Sequence, residues 1–197
     1  MTPTLDDNGM HYYRLAPDAR LRPWIRCYWW VEPAPGFHAV PAAAPDLLLP
    51  DGHSEIVFHF TGEFTRWHLG EPASATRMRE SYVIGGRSKS VLALSPGGLK
   101  LAGVKLDPRA LRALLRQPLS DLRDVTVSCC DLQCRALRDL EAEVVSLRSP
   151  EGLATVCDRF FMRRFGDGIH DDATTERLLE RLRVTRGGQP ILAWARE

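Results

Sequence analysis

The sequence lacks most of the features that point to a function directly. It has no charge excess: 26 Lys and Arg stand against 25 Asp and Glu, a formal net charge of +1. Bulk charge therefore gives no case for a free-standing nucleic-acid binder. No apolar run approaches the roughly 20 residues of a membrane-crossing helix, so no membrane partner is expected. Met1 to Asp18 is polar and holds no secretory signal. The five cysteines, Cys27, Cys129, Cys130, Cys134 and Cys157, are odd in number, and a reduced, cytoplasmic protein with free thiols is expected. Also missing are a nucleophile arrangement, a phosphate-cradling glycine loop and a pair of carboxylates at catalytic spacing. No catalytic residue, metal or cofactor is expected, and no internal repeat is evident.

What remains is an ordinary globular composition, 44% hydrophobic and 26% charged over 197 residues, enough for one good-sized domain or one domain with a helical annex. The two parts of the chain differ in period. Up to about Lys105, short apolar runs are separated by Gly, Pro and Asp. Strands are expected at Trp24 to Glu32, Ser54 to Thr61, Glu63 to Leu69, Ser81 to Gly85, Ser90 to Leu94 and Leu99 to Leu106. In the first of these Ile25, Cys27, Trp29 and Val31 share the expected core face. Ala34 to Pro45 is expected to be a loop, and Ser95 to Gly98 to be a hairpin connection. After Asp107, which can cap a helix beginning at Pro108, the period becomes helical. Further helices are expected near Asp131 to Leu147, from Pro150 to about Phe165, and from about Asp172 to a glycine cap at Gly187-Gly188. Another begins at Gln189-Pro190, seven residues before the chain stops at Glu197. The fold class expected is α+β, an antiparallel β-sandwich or barrel followed by a helical part.

The richest stretch runs from Leu47 to Phe60, LLLPDGHSEIVFHF. Pro50, Asp51 and Gly52 make a turn. In the strand that follows, Ile56, Phe58 and Phe60 share one face, while Glu55, Val57 and His59 share the other. One face carrying a carboxylate and an imidazole suits the wall of a small pocket. His53, Glu55 and His59 together are donors that suit zinc or iron. However, residues six apart on a strand are separated by about 20 Å, so His53 and His59 cannot share one metal. A polar pocket wall or a solvent-facing strand is the alternative.

Glu55 and Arg87, the latter following Gly85-Gly86, form a candidate pair in which the glycines allow close backbone approach. Arg87 could also reach an anionic effector. Among Trp24, Tyr28, Trp29 and Trp30, with Trp67 and His68 as candidates for the same wall, some face a cavity or partner and the rest pack the core. The ligand-binding candidates are thus Trp29, His53, Glu55, His59 and Arg87. Cys129, Cys130 and Cys134 lack the second ligand pair of a zinc site. Arg159, Arg163 and Arg164 lie among acidic residues and read as a solvated helix face.

Several motifs occur in a telling order: Leu21-Arg22-Pro23 before Tyr28-Trp29-Trp30; Leu49-Pro50-Asp51-Gly52 before the Glu55 strand; Gly85-Gly86-Arg87; Gly103-Val104-Lys105-Leu106-Asp107-Pro108 before Leu114-Leu115; and Arg186-Gly187-Gly188-Gln189-Pro190-Ile191. In this order they resemble the N-terminal regulatory half of an AraC-type transcription regulator. That resemblance implies a cupin-like β-rich sensor domain over residues 1–106, a helical dimerisation and linker part over 107–186, and over 187–197 the start of a helix-turn-helix domain whose recognition helices are missing. The partners it implies are a small-molecule effector and a second copy of the chain in a homodimer, with DNA reached only through the missing C-terminal domain. A small cupin-type metalloenzyme is the alternative, though the family's His-x-His spacing is absent.

Overall fold

The computed structural model describes residues 4–5, 9–36, 44–169 and 173–185. Eleven strands are present among them: β1 (Thr4–Leu5), β2 (Met10–Leu15), β3 (Ile25–Pro33), β4 (Asp46–Leu48), β5 (Ser54–Thr61), β6 (Phe64–His68), β7 (Glu71–Met78), β8 (Tyr82–Ile84), β9 (Val91–Leu94), β10 (Lys100–Leu106) and β11 (Thr126–Ser128). They form two antiparallel sheets, one in the order β1-β2-β3-β10-β5-β8-β11 and the other β4-β9-β6-β7. Helices α1 (Pro108–Leu115), α2 (Arg135–Val145) and α3 (Glu151–Phe165) follow. The expected fold class, α+β with an antiparallel β-sandwich followed by helices, is the one found. Residues 1–167 make one compact unit and residues 168–197 a second, which contains α4 (Ala173–Thr185).

The large sheet is apolar on both faces, because each is covered. On one face Trp29, Val57 and Leu101 meet Phe64 and Met78 of the small sheet, with Tyr82 and Ile84 completing the cluster. On the other, Tyr28, Trp30, Ile56, Phe58, Ala102 and Val104 are buried, and α2 packs on β5. The helices turn their apolar stripes inward: Leu137, Leu140 and Val144 from α2, and Leu153, Phe160, Phe161 and Phe165 from α3, are buried within their own chain. Asp107 caps α1 as expected, its Oδ1 accepting from the Arg109 N–H at 2.9 Å.

Two local expectations are corrected. The segment from Ser95 to Gly98 is not a hairpin connection, since β9 belongs to the small sheet and β10 to the large one; it carries the chain across the sandwich. Ile25 does not share a face with Cys27, Trp29 and Val31. Leu106 pairs with Ile25 while Lys105 pairs with Cys27, and this bulge gives β3 one extra residue and reverses the facing of everything before it. The expected loop of residues 34–45 and the glycine cap at Gly187-Gly188 fall wholly or partly outside the described residues, as does the expected helix-turn-helix start at 187–197.

A single carboxylate ties α3 to the large sheet. Asp158 Oδ1 accepts from the Tyr28 hydroxyl at 2.7 Å and from the Asp18 N–H at 3.0 Å. Burial, aided by the nearby Cys157 and Asp158, pushes the Tyr28 hydroxyl far up, so it stays protonated and donates at every ordinary pH. Urea unfolding of Tyr28→Phe is expected to show a loss of about 1.5 kcal/mol, and of Asp158→Ala about 3 kcal/mol, because the second change leaves two donors unpaired.

Candidate functional site

Between the two sheets lies a cavity of about 590 Å³, within the size range of small-molecule sites. Its apolar wall comes from Trp29 and Val31 of β3, Val57 of β5, Phe64 of β6 and Leu101 of β10, with Leu47 and Leu48 of β4 at one side. Trp29 can lie against the sheet because its directly paired neighbour on β10 is Gly103. A Cβ at Gly103 would stand 2.4 Å from the indole ring.

A charged cluster sits in that wall. The Arg87 NH2 group donates to Glu55 Oε2 at 3.0 Å, and both side chains are nearly out of water, at 7% and 13% exposure. Lys105 Nζ stands 3.6 Å from the other Glu55 oxygen and donates to Asp51 Oδ2 at 2.5 Å. Burial works against the Lys105 charge, but the Asp51 hydrogen bond and the two carboxylates outweigh it and hold the ammonium above its ordinary pKa. From the small sheet Arg66 adds a second buried guanidinium, 9% exposed, donating from NH1 to the Thr126 hydroxyl of β11. Burial pulls the Arg66 pKa down, and the Arg87 charge acts in the same sense.

The loop bearing Arg87 is pinned in several places. Gly85 lies so close to Leu122 that a Cβ there would stand 2.2 Å from the Leu122 carbonyl oxygen. The Asp124 N–H donates to Gly86 O at 3.0 Å. Asp124 Oδ1 in turn accepts from the N–H groups of Ser88 and Lys89, at 2.6 and 3.2 Å. Arg87 is therefore held between fixed neighbours, which is what a binding residue requires.

Of the five candidate residues, the cavity brings together Trp29, Glu55 and Arg87. His53 is not among its walls: its ring Nδ1 lies 2.9 Å from the Asp51 carbonyl oxygen, and its N–H donates to the Asp51 side chain, so it closes the turn before β5. His59 is also outside the cavity. His59 keeps the face of Glu55 and Val57, since the three pair in turn with Lys105, Gly103 and Leu101 and the register shifts only after it; the cavity does not reach that far along β5. Burial lowers the His59 pKa, against the effect of a hydrogen bond that the ring donates to the Gly62 backbone carbonyl.

Trp67 and His68 line a separate cavity of about 380 Å³. Trp24 stacks under Arg109 at 4.9 Å. Among the described residues no three His, Cys, Asp or Glu side chains are grouped to hold a metal ion. Cys129 is buried, its thiol pushed up to about 12 chiefly by burial, while Cys130 is exposed. Arg159 pairs with Glu143 and Arg164 lies over the Phe160 ring.

A family model described as a domain of unknown function, DUF6597, matches residues 13–128. The chain belongs to that family. The DUF6597 match runs from within β2 to the end of β11 and so contains the cavity's cluster of Asp51, Glu55, Arg66, Arg87 and Lys105. No curated protein matches the chain. Among solved structures the DUF6597 chain is similar to KdgF from Halomonas sp. (14% identity, 55% of this chain and 86% of that one, TM-score 0.38). It is also similar to a Cupin 2 conserved barrel domain protein from Salinispora arenicola (16%, 54% and 82%, TM-score 0.35). A third is ToxT from Vibrio cholerae bound to (E)-4-(8-methylnaphthalen-1-yl)but-3-enoic acid (14%, 69% and 60%, TM-score 0.35). No helix among the described residues is long and apolar enough to cross a membrane.

The packing of Trp29 on Gly103 generates a direct test. Gly103→Ala forces the indole away from the sheet and into the cavity, at an overpacking cost of about 1–3 kcal/mol. In a ¹H–¹⁵N spectrum the Trp29 indole cross-peak is expected to shift strongly while that of Trp24, outside the cavity, stays in place.

Proposed function

We propose that this DUF6597 domain is the effector-sensing and dimerisation part of an AraC-type transcription regulator, working in the cytoplasm, with DNA contacted by a further domain. The cavity carries this reading. It is large enough for a metabolite-sized molecule, apolar over most of its wall, and has a few fixed polar groups converging on it, the usual make-up of a small-molecule site. The ordered motifs from Leu21-Arg22-Pro23 to Arg186-Gly187-Gly188 support the AraC assignment. Four of them, Tyr28-Trp29-Trp30, Leu49-Pro50-Asp51-Gly52, Gly85-Gly86-Arg87 and the run through Gly103 and Lys105, supply residues to the cavity or to its backing.

The mechanism is linkage. An effector that contacts both Arg87, beside the large sheet, and Arg66, on the small one, favours whichever spacing of the sheets lets it touch both. That preference shifts the equilibrium between arrangements of the regulator. The metalloenzyme reading lacks a converging donor set among the described residues, and the charged cluster here is an ion-paired chain rather than an acid–base pair poised over a reactive atom.

Native mass spectrometry at gentle activation, with metal analysis of the same sample, separates the two readings. The expected outcome is a homodimer without stoichiometric metal. A monomer holding one tightly bound metal per chain, with His53 or His59 among its ligands, would replace the regulatory reading by the enzymatic one.

A further inference from the structure

The polar atoms left over in the cavity wall have a common character. Arg87 spends one amino group on Glu55, but its Nε and NH1, both buried, have no hydrogen-bond partner. Trp29 Nε1 in the same wall is likewise buried and unpaired. All three are donors. A buried donor without an acceptor costs about 1–3 kcal/mol, and guanidinium and indole nitrogens have no acceptor capacity with which to satisfy one another. What the cavity needs is therefore an acceptor brought in from outside.

Charge sharpens this. Arg66 and Arg87 are both buried, and among the described residues Arg66 forms no ion pair within 4.0 Å. Of the three carboxylates that line the cavity, Asp46, Asp51 and Glu55, the one on Arg87 is Glu55, and it is already engaged: Oε2 by Arg87 and Oε1 by Lys105, which in turn is held by Asp51. Glu55 thus neutralises a single guanidinium's worth of charge and is shared with a third cation. A planar carboxylate fits a guanidinium's fork of donors in a way a neutral carbonyl does not.

We propose that the cavity takes an amphipathic organic carboxylate, its apolar body against Trp29, Val57 and Leu101 and its carboxylate on the unpaired Arg87 donors, facing Arg66. The inference rests on the reading of the cavity as a ligand site and adds the ligand's chemical class. Arg87 and Arg66 become its recognition residues, and the Trp29 indole N–H a third donor within the wall.

A matched series tests this on the whole chain without any mutation. 4-Phenylbutyrate, 4-phenylbutanamide and 4-phenylbutylamine share one apolar body and differ only in a negative, neutral or positive head. Calorimetric titration at low salt and neutral pH is expected to find the acid binding roughly tenfold tighter than the amide, a difference within the reach of one charge-assisted pair, and the amine not binding. The Trp29 indole cross-peak should move with the acid.

In Arg66→Gln, where no ion pair is lost, the acid's advantage should fall to within about twofold of the amide. Arg87→Lys keeps the charge facing Glu55 but removes the forked donors, and should also weaken the acid selectively. Equal affinities for acid and amide, or tightest binding of the amine, overturn the carboxylate assignment while leaving the cavity a ligand site. Failure of all three to bind at millimolar concentration overturns the ligand-site reading together with it.

Discussion

Glu55 and Arg87 meet 3.0 Å apart where both side chains are almost wholly out of water, and much of the surrounding chain is arranged to keep them there. Burying an ion pair costs several kcal/mol of desolvation per charge, which the mutual attraction repays only with good geometry and further hydrogen bonds. Here the repayment is incomplete, because two nitrogens of Arg87 remain without acceptors. The loop carrying Arg87 is nonetheless held closely, with Gly85 against Leu122 and Asp124 capping the N–H groups that follow. A sandwich core built for stability alone would close over this space with apolar side chains. Charges that cannot be desolvated further keep the two sheets apart and leave a cavity between them.

The two sheets contribute to the cluster from opposite sides. Glu55 and Lys105 stand on adjacent strands of the large sheet, Arg87 on the loop leaving β8, and Arg66 on the small sheet with a hydrogen bond back to Thr126 of the large one. A molecule lodged among them touches both layers at once. On the sensing function proposed for this domain, such a placement would convert occupancy into a change in how tightly the layers are coupled.

Much of the fold was legible in the sequence, and the misses have definite causes. Strands β3, β5, β6, β8, β9 and β10 were marked by apolar alternation between turn residues. β7 was not, because Glu71–Met78 buries only Met78 and its polar run carries no period. β4 and β11 are three residues each and, unlike the equally short but wholly apolar β8, include polar residues. In the site, Glu55 was singled out by strand alternation, Trp29 by the aromatic group around it, and Arg87 by the two glycines before it. His53 and His59 lie outside the cavity for different reasons: His53 belongs to the turn before β5, while His59 keeps the face of Glu55, and alternation gives a residue's face but not how far along the strand a cavity reaches. Arg66 and Lys105 went unnoticed because a charged residue on a strand reads as solvent-facing unless both faces of its sheet are known to be covered. The bulge that turned Ile25 away from Cys27 leaves no signature in composition at all.

The central claim is that the buried pair is kept for binding and not for the stability of the sandwich. Equilibrium urea unfolding of the double replacement Glu55→Leu/Arg87→Met, beside its two single replacements, tests this most directly. The account predicts that each single change costs about 3–5 kcal/mol, by stranding a buried charge or a cluster of cations, while the double change lies within about 1 kcal/mol of the natural chain or above it. A double variant as unstable as the two singles added together would contradict the account, and would make the pair a structural support of the fold.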